Sequence, residues 1–463
     1  MCFAFRMTQA RLCVLMFLAS LLAVAGPLHA QQSSVPPDAG VQPETSQPLA
    51  ALQEAAERQV SPDAQPRQAV PTLLTLELAT EILLQSNPTI LAARQEVVAA
   101  RADVLGVDLW PNPELGFDVE NLPVGVEREG PFFDGQELVL KVEQLIETAG
   151  KRSKRTAVAE RGVEVSQSEL LETVRVVKFD LQRRHYDVVL AKASLELSTE
   201  ILDQFDEIIR LTEVRYQQGE VSGLEVSRLR TERLRFFSDQ ADAALGLSNS
   251  KIALLELLGV AEMGAEFDVV EELQFHGVST SAALLEEQAL ANRPDLTAQM
   301  SRVQRALGQE EYAKALGKPD LSPYFGYRRD FVVNAITFGV SLPLPFFDRN
   351  QGGVARALAE TGRERQDLRL IELQVRREVR EAFNLVTARA VLIRALRAEY
   401  VPNARRARDI AQASYGLGAL DLIAFLDAER AYRATLLGYN QALYDHQVAT
   451  FLLDAVVGEE PVR

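Results

Sequence analysis

The chain has 463 residues, 47% of them hydrophobic and 25% charged, with 26 glycines, 20 prolines and a formal net charge of −16. These globular proportions exclude collagen-like, disulfide-framework and wholly disordered chains. The surplus of acid argues against sequence-independent nucleic-acid binding, which needs lysine and arginine to displace counterions from phosphates. After residue 30 no apolar run reaches the roughly 18 residues of a membrane helix.

Arg6 and Arg11 precede an apolar stretch from Leu12 to Ala25, and Leu28-His29-Ala30 ends in a small residue. This pattern predicts a secretory signal peptide over residues 1–30, cut after Ala30 or, because Leu28 is large for its place, after Ala25. The alternative, an N-terminal membrane anchor, is disfavoured by the shortness of the stretch. Cys2 and Cys13 both lie inside it, so the remainder has no disulfide and no thiolate metal ligand. Removing Arg6 and Arg11 takes the net charge from −16 to −18. Residues 31–72, rich in Pro, Gln, Ala and Ser, carry too little apolar surface to fold and read as a flexible leader.

Landmarks then recur. Tyr216-Gln-Gln-Gly219 returns as Tyr415-Gly-Leu-Gly418 at an offset of 199, and the same offset joins Gly259 to Gly458. Asn87-Pro88 and Asn292-Arg293-Pro294 are each followed by a proline 25 residues on, Pro113 and Pro319. Kept spacing of this kind indicates a duplicated chain: a first repeat over 73–260, a linker over 261–282, a second repeat over 283–458 and a tail over 459–463.

Each repeat opens with a predicted helix, Leu76 to Leu109 and Leu284 to Leu316, closed by Pro111 and Pro319. Period-two alternation follows, the mark of strands: Leu115, Phe117 and Val119, then Leu138, Leu140 and Val142, and in the second repeat Phe325 and Tyr327, then Ile336 to Leu344. Next comes a very long helix. Between Val163 and Gln218 there is neither glycine nor proline, and Val174, Leu181, Val188, Leu195, Leu202, Ile209 and Tyr216 fall every seven residues. Such a heptad packs helix lengthwise on helix. A single helix from Lys151 to Tyr216 would span about 100 Å at 1.5 Å per residue. The second repeat predicts the same stripe through Val379, Val386, Ile393, Tyr400, Ala407 and Ser414, with a kink at Pro402. Gly219 and Gly418 permit tight turns, and helices return over Leu224–Leu258 and Ile423–Val457.

Four amphipathic strands fit either a small sheet covering a soluble core or a wall with one face to lipid and one to water. An open four-stranded sheet cannot stand in lipid, because its edges would leave backbone groups unpaired. Closure takes about eight strands or more, so a membrane reading requires an oligomer, and three copies would supply twelve. Phe132-Phe133 and Phe346-Phe347 beside the strands suit either an interfacial aromatic belt or plain apolar contact at the barrel end.

From about Thr72 to Gly458 the chain resembles the TolC-like outer-membrane efflux proteins. The marks are Tyr216-x-x-Gly219 and Tyr415-x-x-Gly418 followed by Leu426-Asp427-Ala428 at the hairpin turns. The stretch from Val142 to Arg152, with Gly150-Lys151-Arg152 and then Arg155, is similar to the CzcC-like subgroup paired with heavy-metal exporters. The resemblance implies a mainly α fold with β: a homotrimer whose outer-membrane barrel, four strands per chain, continues into an α-helical tunnel crossing the periplasm. It implies as partners a periplasmic adaptor protein, an inner-membrane pump and outer-membrane lipid, with no nucleic acid and no cofactor. By position, Asp427 matches one acidic residue of the periplasmic entrance, where three copies would form a ring favouring cations; the other matching position holds Ala424, with Asp421 nearby. Asp427 as an ordinary solvated helix residue is the competing reading. Tyr415 and Tyr216 are gate or packing residues, and the adaptor is expected at the tips near Tyr216, Gly219 and Gly418.

No catalytic or metal site is expected. His185, His276 and His446 are isolated, as are Met263 and Met300, and no phosphate loop, nucleophile elbow or metalloprotease helix occurs. The expected function is a passive duct of a tripartite efflux system carrying heavy-metal cations. The alternatives are a duct for small organic toxins and a periplasmic coiled-coil structural or adaptor protein.

Overall fold

A computed structural model describes residues 71–121, 136–260, 262, 266–277, 280–330 and 333–458. The expected signal segment and leader up to residue 70, the pair Phe132-Phe133, Met263 and the tail 459–463 lie outside the described residues. Every element below belongs to one unit, Arg67–Arg463.

The chain enters through a two-residue strand β1 (Leu73–Leu74) and turns into α1 (Leu76–Ser86), where the Thr75 hydroxyl accepts from the Leu78 N–H. The expected helix Leu76–Leu109 is in fact two, α1 and α2 (Pro88–Val107), and its counterpart is α5 (Ala282–Asn292) and α6 (Pro294–Leu316). The reason is steric: a proline ring drives the preceding residue out of the helical region. Asn87 and Arg293 accordingly sit at ψ 122° and 126°. Pro88 and Pro294 then serve as first-turn residues, where a missing N–H costs nothing.

The strands form as expected with small shifts at their ends: β2 (Glu114–Glu120), β3 (Glu137–Glu143), β5 (Ser322–Arg329) and β6 (Asn334–Ser341). The last stops before Pro343 rather than at Leu344, since proline has no N–H to give a ladder. They make one antiparallel sheet in the order β2-β3-β5-β6, so among the described residues the outer edges of β2 and β6 carry no strand partner. Register sorts the faces. Leu115, Val142, Phe325 and Phe338 form one row, and Phe117, Leu140, Tyr327 and Ile336 the next. All eight are exposed, Phe338 at 83%. The opposite face carries Glu114, Asp118, Glu120, Glu137, Lys141, Glu143 and Arg328 among glycines, small residues, Val139 and Tyr324.

Below the sheet, α3 (Lys151–Gln217) runs unbroken for 67 residues, about 100 Å. It turns back as α4 (Gly223–Leu258). The motif around Gly150 proves to be the joint between sheet and helix. Gly150 takes the left-handed conformation at φ 68°, with Asn350 at φ 60° doing the same before α7 (Gln351–Ala395). The buried Lys151 ammonium meets Asp320 at 2.6 Å and the Lys318 carbonyl at 2.7 Å, and Arg155 clasps Glu147 with both nitrogens. Lys151 therefore ties the start of α3 to the segment leading into β5, and Arg155 fixes the Glu147 stretch against α3 where strand becomes helix.

The second long helix departs from the expected stripe. Val379, Val386 and Ile393 are buried as predicted, but Tyr400 and Ala407 are exposed. A π-helical turn, Leu396–Tyr400, intervenes, with the Val401 N–H donating five residues back to the Leu396 carbonyl. It absorbs one extra residue, so the stripe resumes one place later through half-buried Val401 and Arg408 to buried Tyr415 on α8 (Val401–Gly416). Pro402 lies just beyond, where α-helical closure would demand an N–H it lacks. The return helix is α9 (Leu422–Val457).

Apolar packing gathers in separate clusters along the helices. One unites Leu181, Val188, Leu254 and Leu258 with Leu83 and Ile90. A second lies near the turns, with Leu202, Phe205, Ile209, Phe236, Tyr415 and Phe425. Each such side chain contributes about 1.5–3 kcal/mol by leaving water. The paired landmarks of each repeat meet at the hairpin ends. Gly259 (φ 72°) packs so close to the Asn87-Pro88 break that an added Cβ would lie 2.4 Å from the Ser86 carbonyl, and the corresponding Cβ at Gly458 would lie 3.3 Å from Arg293 Cα.

Candidate functional site at the hairpin tips

The two turns are built alike. Gly219 (φ 78°) and Gly418 (φ 74°) end α3 and α8 in left-handed conformation, with N–H groups donating back to the Tyr216 and Tyr415 carbonyls at 3.0 Å. Ser222 and Asp421 then cap the returning helices, accepting from the N–H of Glu225 and Ala424. Asp421 is thus engaged as an N-cap, a role that stabilises a helix start and takes up one of its oxygens.

The two tyrosines, equivalent in sequence, differ in place. Tyr216 is 51% exposed, its ring against Gly223, whereas Tyr415 is 6% exposed. Tyr415 stacks on Phe425 with ring centroids 5.1 Å apart and planes at 13°, and its hydroxyl lies 3.5 Å from Thr212 Oγ1. Burial pushes its phenol above the usual range. Arg215 joins the hairpins: its Nη1 donates to the Tyr415 carbonyl at 3.0 Å, its Nε reaches Glu220 at 3.2 Å, and its guanidinium sits 5.9 Å from the Tyr415 ring centre. No sequence signal marks Arg215, because its partner lies 200 residues away.

Asp427 is 67% exposed on α9 and touches Arg430 at 3.4 Å. Arg430 is drawn the other way by Glu232, which holds it through two bonds of 2.9 and 3.0 Å. Asp427 therefore presents a largely free carboxylate to solvent. Two residues on, Glu429 is buried, and burial raises its carboxyl above the usual range, with Arg408 opposing and Asp409 adding. Sequence reading passed over Glu429, since one carboxylate among many on a helix face carries no pattern.

A second constellation holds the inter-repeat segment against α3. The short strand β4 (Asp268–Val269) pairs in parallel with β1. Beside it Lys192 bonds Asp268 at 2.7 Å, and fully buried His185 meets Glu271 at 2.7 Å, whose other oxygen accepts the Leu76 N–H at 2.7 Å. Burial works against the Glu271 anion, but the Leu76 and His185 bonds prevail and hold its carboxyl below the usual range. His446 is buried against Phe275, and burial, then His276 and Arg394, lower its pKa. Among the described residues no group of three or more His, Cys, Asp or Glu is placed to hold a metal ion, and no helix is long and apolar enough to cross a membrane.

Comparison with known proteins bears on both the sheet and the tips. The family described as outer membrane efflux protein matches residues 79–260 and 285–459. The chain is 24% identical over 400 residues to the cobalt-zinc-cadmium resistance protein CzcC of Cupriavidus metallidurans, covering 85% of this chain and 92% of that one. Its fold superposes on a solved structure of CusC with a TM-score of 0.71 at 19% identity, covering 86% and 99% of the two chains. It also superposes on the outer membrane protein VceC of Vibrio cholerae with a TM-score of 0.69 at 19% identity, covering 83% and 96%.

Proposed function

The chain belongs to the outer membrane efflux protein family, and from that premise we propose that it is the trimeric outer-membrane duct of a tripartite efflux system for heavy-metal cations. The observation that carries the reading is the sheet. Two full rows of one face are exposed and apolar, the other face is charged, and among the described residues neither outer edge has a strand partner. A face of that kind suits lipid, and open edges in lipid leave backbone groups unsatisfied at several kcal/mol each. Three copies, β6 of each against β2 of the next, close twelve antiparallel strands. The helices beneath then form the periplasmic tunnel, and α3 at about 100 Å has the reach for it.

In this reading the duct does no chemistry and takes its energy from an inner-membrane pump through a periplasmic adaptor, docked near Tyr216, Gly219 and Gly418. Three Asp427 carboxylates ring the entrance and favour cations. Asp421, engaged as a helix cap, contributes less to that ring. Similarity to CzcC, a cobalt-zinc-cadmium resistance protein, supports the choice of cargo. Small organic toxins are the second reading, since a passive duct takes its selectivity largely from its pump. Deleting the gene in its native host, with redundant ducts removed, is expected to lower tolerance to zinc, cobalt, cadmium or copper while leaving organic antimicrobials unaffected. The reverse pattern selects the second reading, and recovery of the protein as a soluble monomer defeats the duct itself.

A further inference from the structure

On the charged face of the sheet one lysine lies flat. Lys141 stands in register between Gly116 of β2 and Gly326 of β5. Its stem runs over Gly116, where an added Cβ would fall 2.7 Å from Lys141 Cε and 3.0 Å from Cγ. On the other flank, a Cβ at Gly326 would fall 3.3 Å from Lys141 Cβ and 2.9 Å from both the Leu140 carbonyl and Thr337 Oγ1. The ammonium ends 3.7 Å from Asp118. Tyr324 lies over Gly339 in the same manner, its ring within 2.7 Å of an added Cβ. Glycine inside a strand weakens it, so glycines placed beneath long side chains call for a reason.

The charges supply one. Glu114 and Glu143 face each other directly across β2 and β3, a like-charge pairing that costs stability. Lys141 is the next residue of β3 on that same face, yet its ammonium turns away from Glu143 toward Asp118. The other basic side chain of the face, Arg328, is paired with Glu137. Both cations on this wall are thus tied to carboxylates, and Glu114, Glu143 and Glu120 have no basic partner among the described residues.

We propose that Gly116 determines the charge selectivity of the barrel bore: it lets Lys141 fold flat onto Asp118, which keeps its ammonium out of the passage and leaves the wall acidic. This rests on the duct reading above, in which the charged face lines the bore. Three ammonium groups standing free in one ring would oppose a cation, whereas three groups neutralised against the wall do not.

The test is the reversal potential of the purified full-length protein in planar bilayers under a potassium chloride gradient. Salt is held near 0.01 M, where the Debye length of about 30 Å leaves wall charges unscreened. Absence of any pore with the native chain defeats the duct reading, not this one. Given a pore, Gly116→Leu occupies the place of the lysine stem and is expected to lower the potassium-to-chloride permeability ratio about two-fold or more. Adding Lys141→Gln to it restores at least the native ratio. Because Leu at position 116 strains the strand, a second comparison changes no packing. Asp118→Asn removes one carboxylate and frees the ammonium, whereas Glu120→Gln removes one carboxylate and frees nothing. The first is expected to lower the ratio more than the second, and the difference to vanish when Lys141→Gln is added to both. Equal shifts from Asp118→Asn and Glu120→Gln, or a conducting Gly116→Leu pore with native selectivity, overturn the proposal.

Discussion

Arg215 ties the turn of the first hairpin to that of the second, and its removal has a size that can be worked out. In Arg215→Met the packing of the stem is kept and three interactions go. The bond from charged Nη1 to the Tyr415 carbonyl is the largest. That carbonyl also accepts the Gly418 N–H at 3.0 Å, so it keeps a partner and no orphan penalty arises; the low end of the range for a charged donor applies, about 1.5 kcal/mol. The guanidinium over the Tyr415 ring at 5.9 Å adds about 0.5 kcal/mol. The Glu220 partner is half exposed and contributes about nothing. The sum, about 2 kcal/mol, raises the population of a parted tip about 30-fold. Hydrogen exchange reads this directly at the Ala419 amide, which bonds the Ser414 carbonyl at 2.8 Å in the closed turn. Exchange there should quicken about 30-fold, with amides around Leu181 and Val188 unchanged. Acceleration below about 3-fold would show that the turns hold without the guanidinium and refute the energetic reasoning.

Three further outcomes follow from the geometry. Asp427→Ala, which removes an exposed carboxylate with one weak partner, should leave folding intact and reduce cation preference in planar bilayers; unchanged selectivity removes Asp427 from the entrance. Gly219→Ala and Gly259→Ala both force a side chain into left-handed backbone at about 1–2 kcal/mol. Only the second also meets a carbonyl at 2.4 Å, so protease-resistant protein should survive the first far better than the second. Finally, the bonds from His185 and Leu76 that hold the Glu271 carboxyl low give the inter-repeat segment a stability present above the unfolded carboxylate pKa, about 4.3, and lost as pH falls through the lower folded value. Limited proteolysis within 266–277 should therefore rise in acid, and Glu271→Gln should flatten that dependence.

Periodic features of the fold were legible in the sequence, and contacts between distant residues were not. The helix expected over Lys151–Tyr216 falls within a residue of α3 at each end, and the repeat from Val174 marks its course because a seven-residue period constrains many side chains at once. The strands were readable for the same reason, a period of two over seven or eight residues. The breaks at Pro88 and Pro294 were hidden because proline at a helix start leaves the surrounding apolar period intact. The π turn was hidden because it alters phase without altering composition. At the tips, repetition marked Tyr216 and Tyr415 as equals. Only packing separates them, since Phe425 and Thr212 enclose one and solvent meets the other. Arg215, Glu271 and Glu429 are engaged by residues of other elements, and contacts of that kind leave no pattern to read.

The π turn at Leu396–Tyr400 works as an angular setting. One residue of helix is 100° of rotation, so every side chain from Val401 to Gly416 is rolled by that amount relative to the phase kept by Val379, Val386 and Ile393. Were the turn to close into α geometry with no residue removed, Ser414 would roll inward and Tyr415 outward, to the kind of exposure Tyr216 has. The aim of the second tip is thus stored about 22 Å up the helix from Tyr415. Pro402, by withholding one N–H, keeps that stored angle from relaxing.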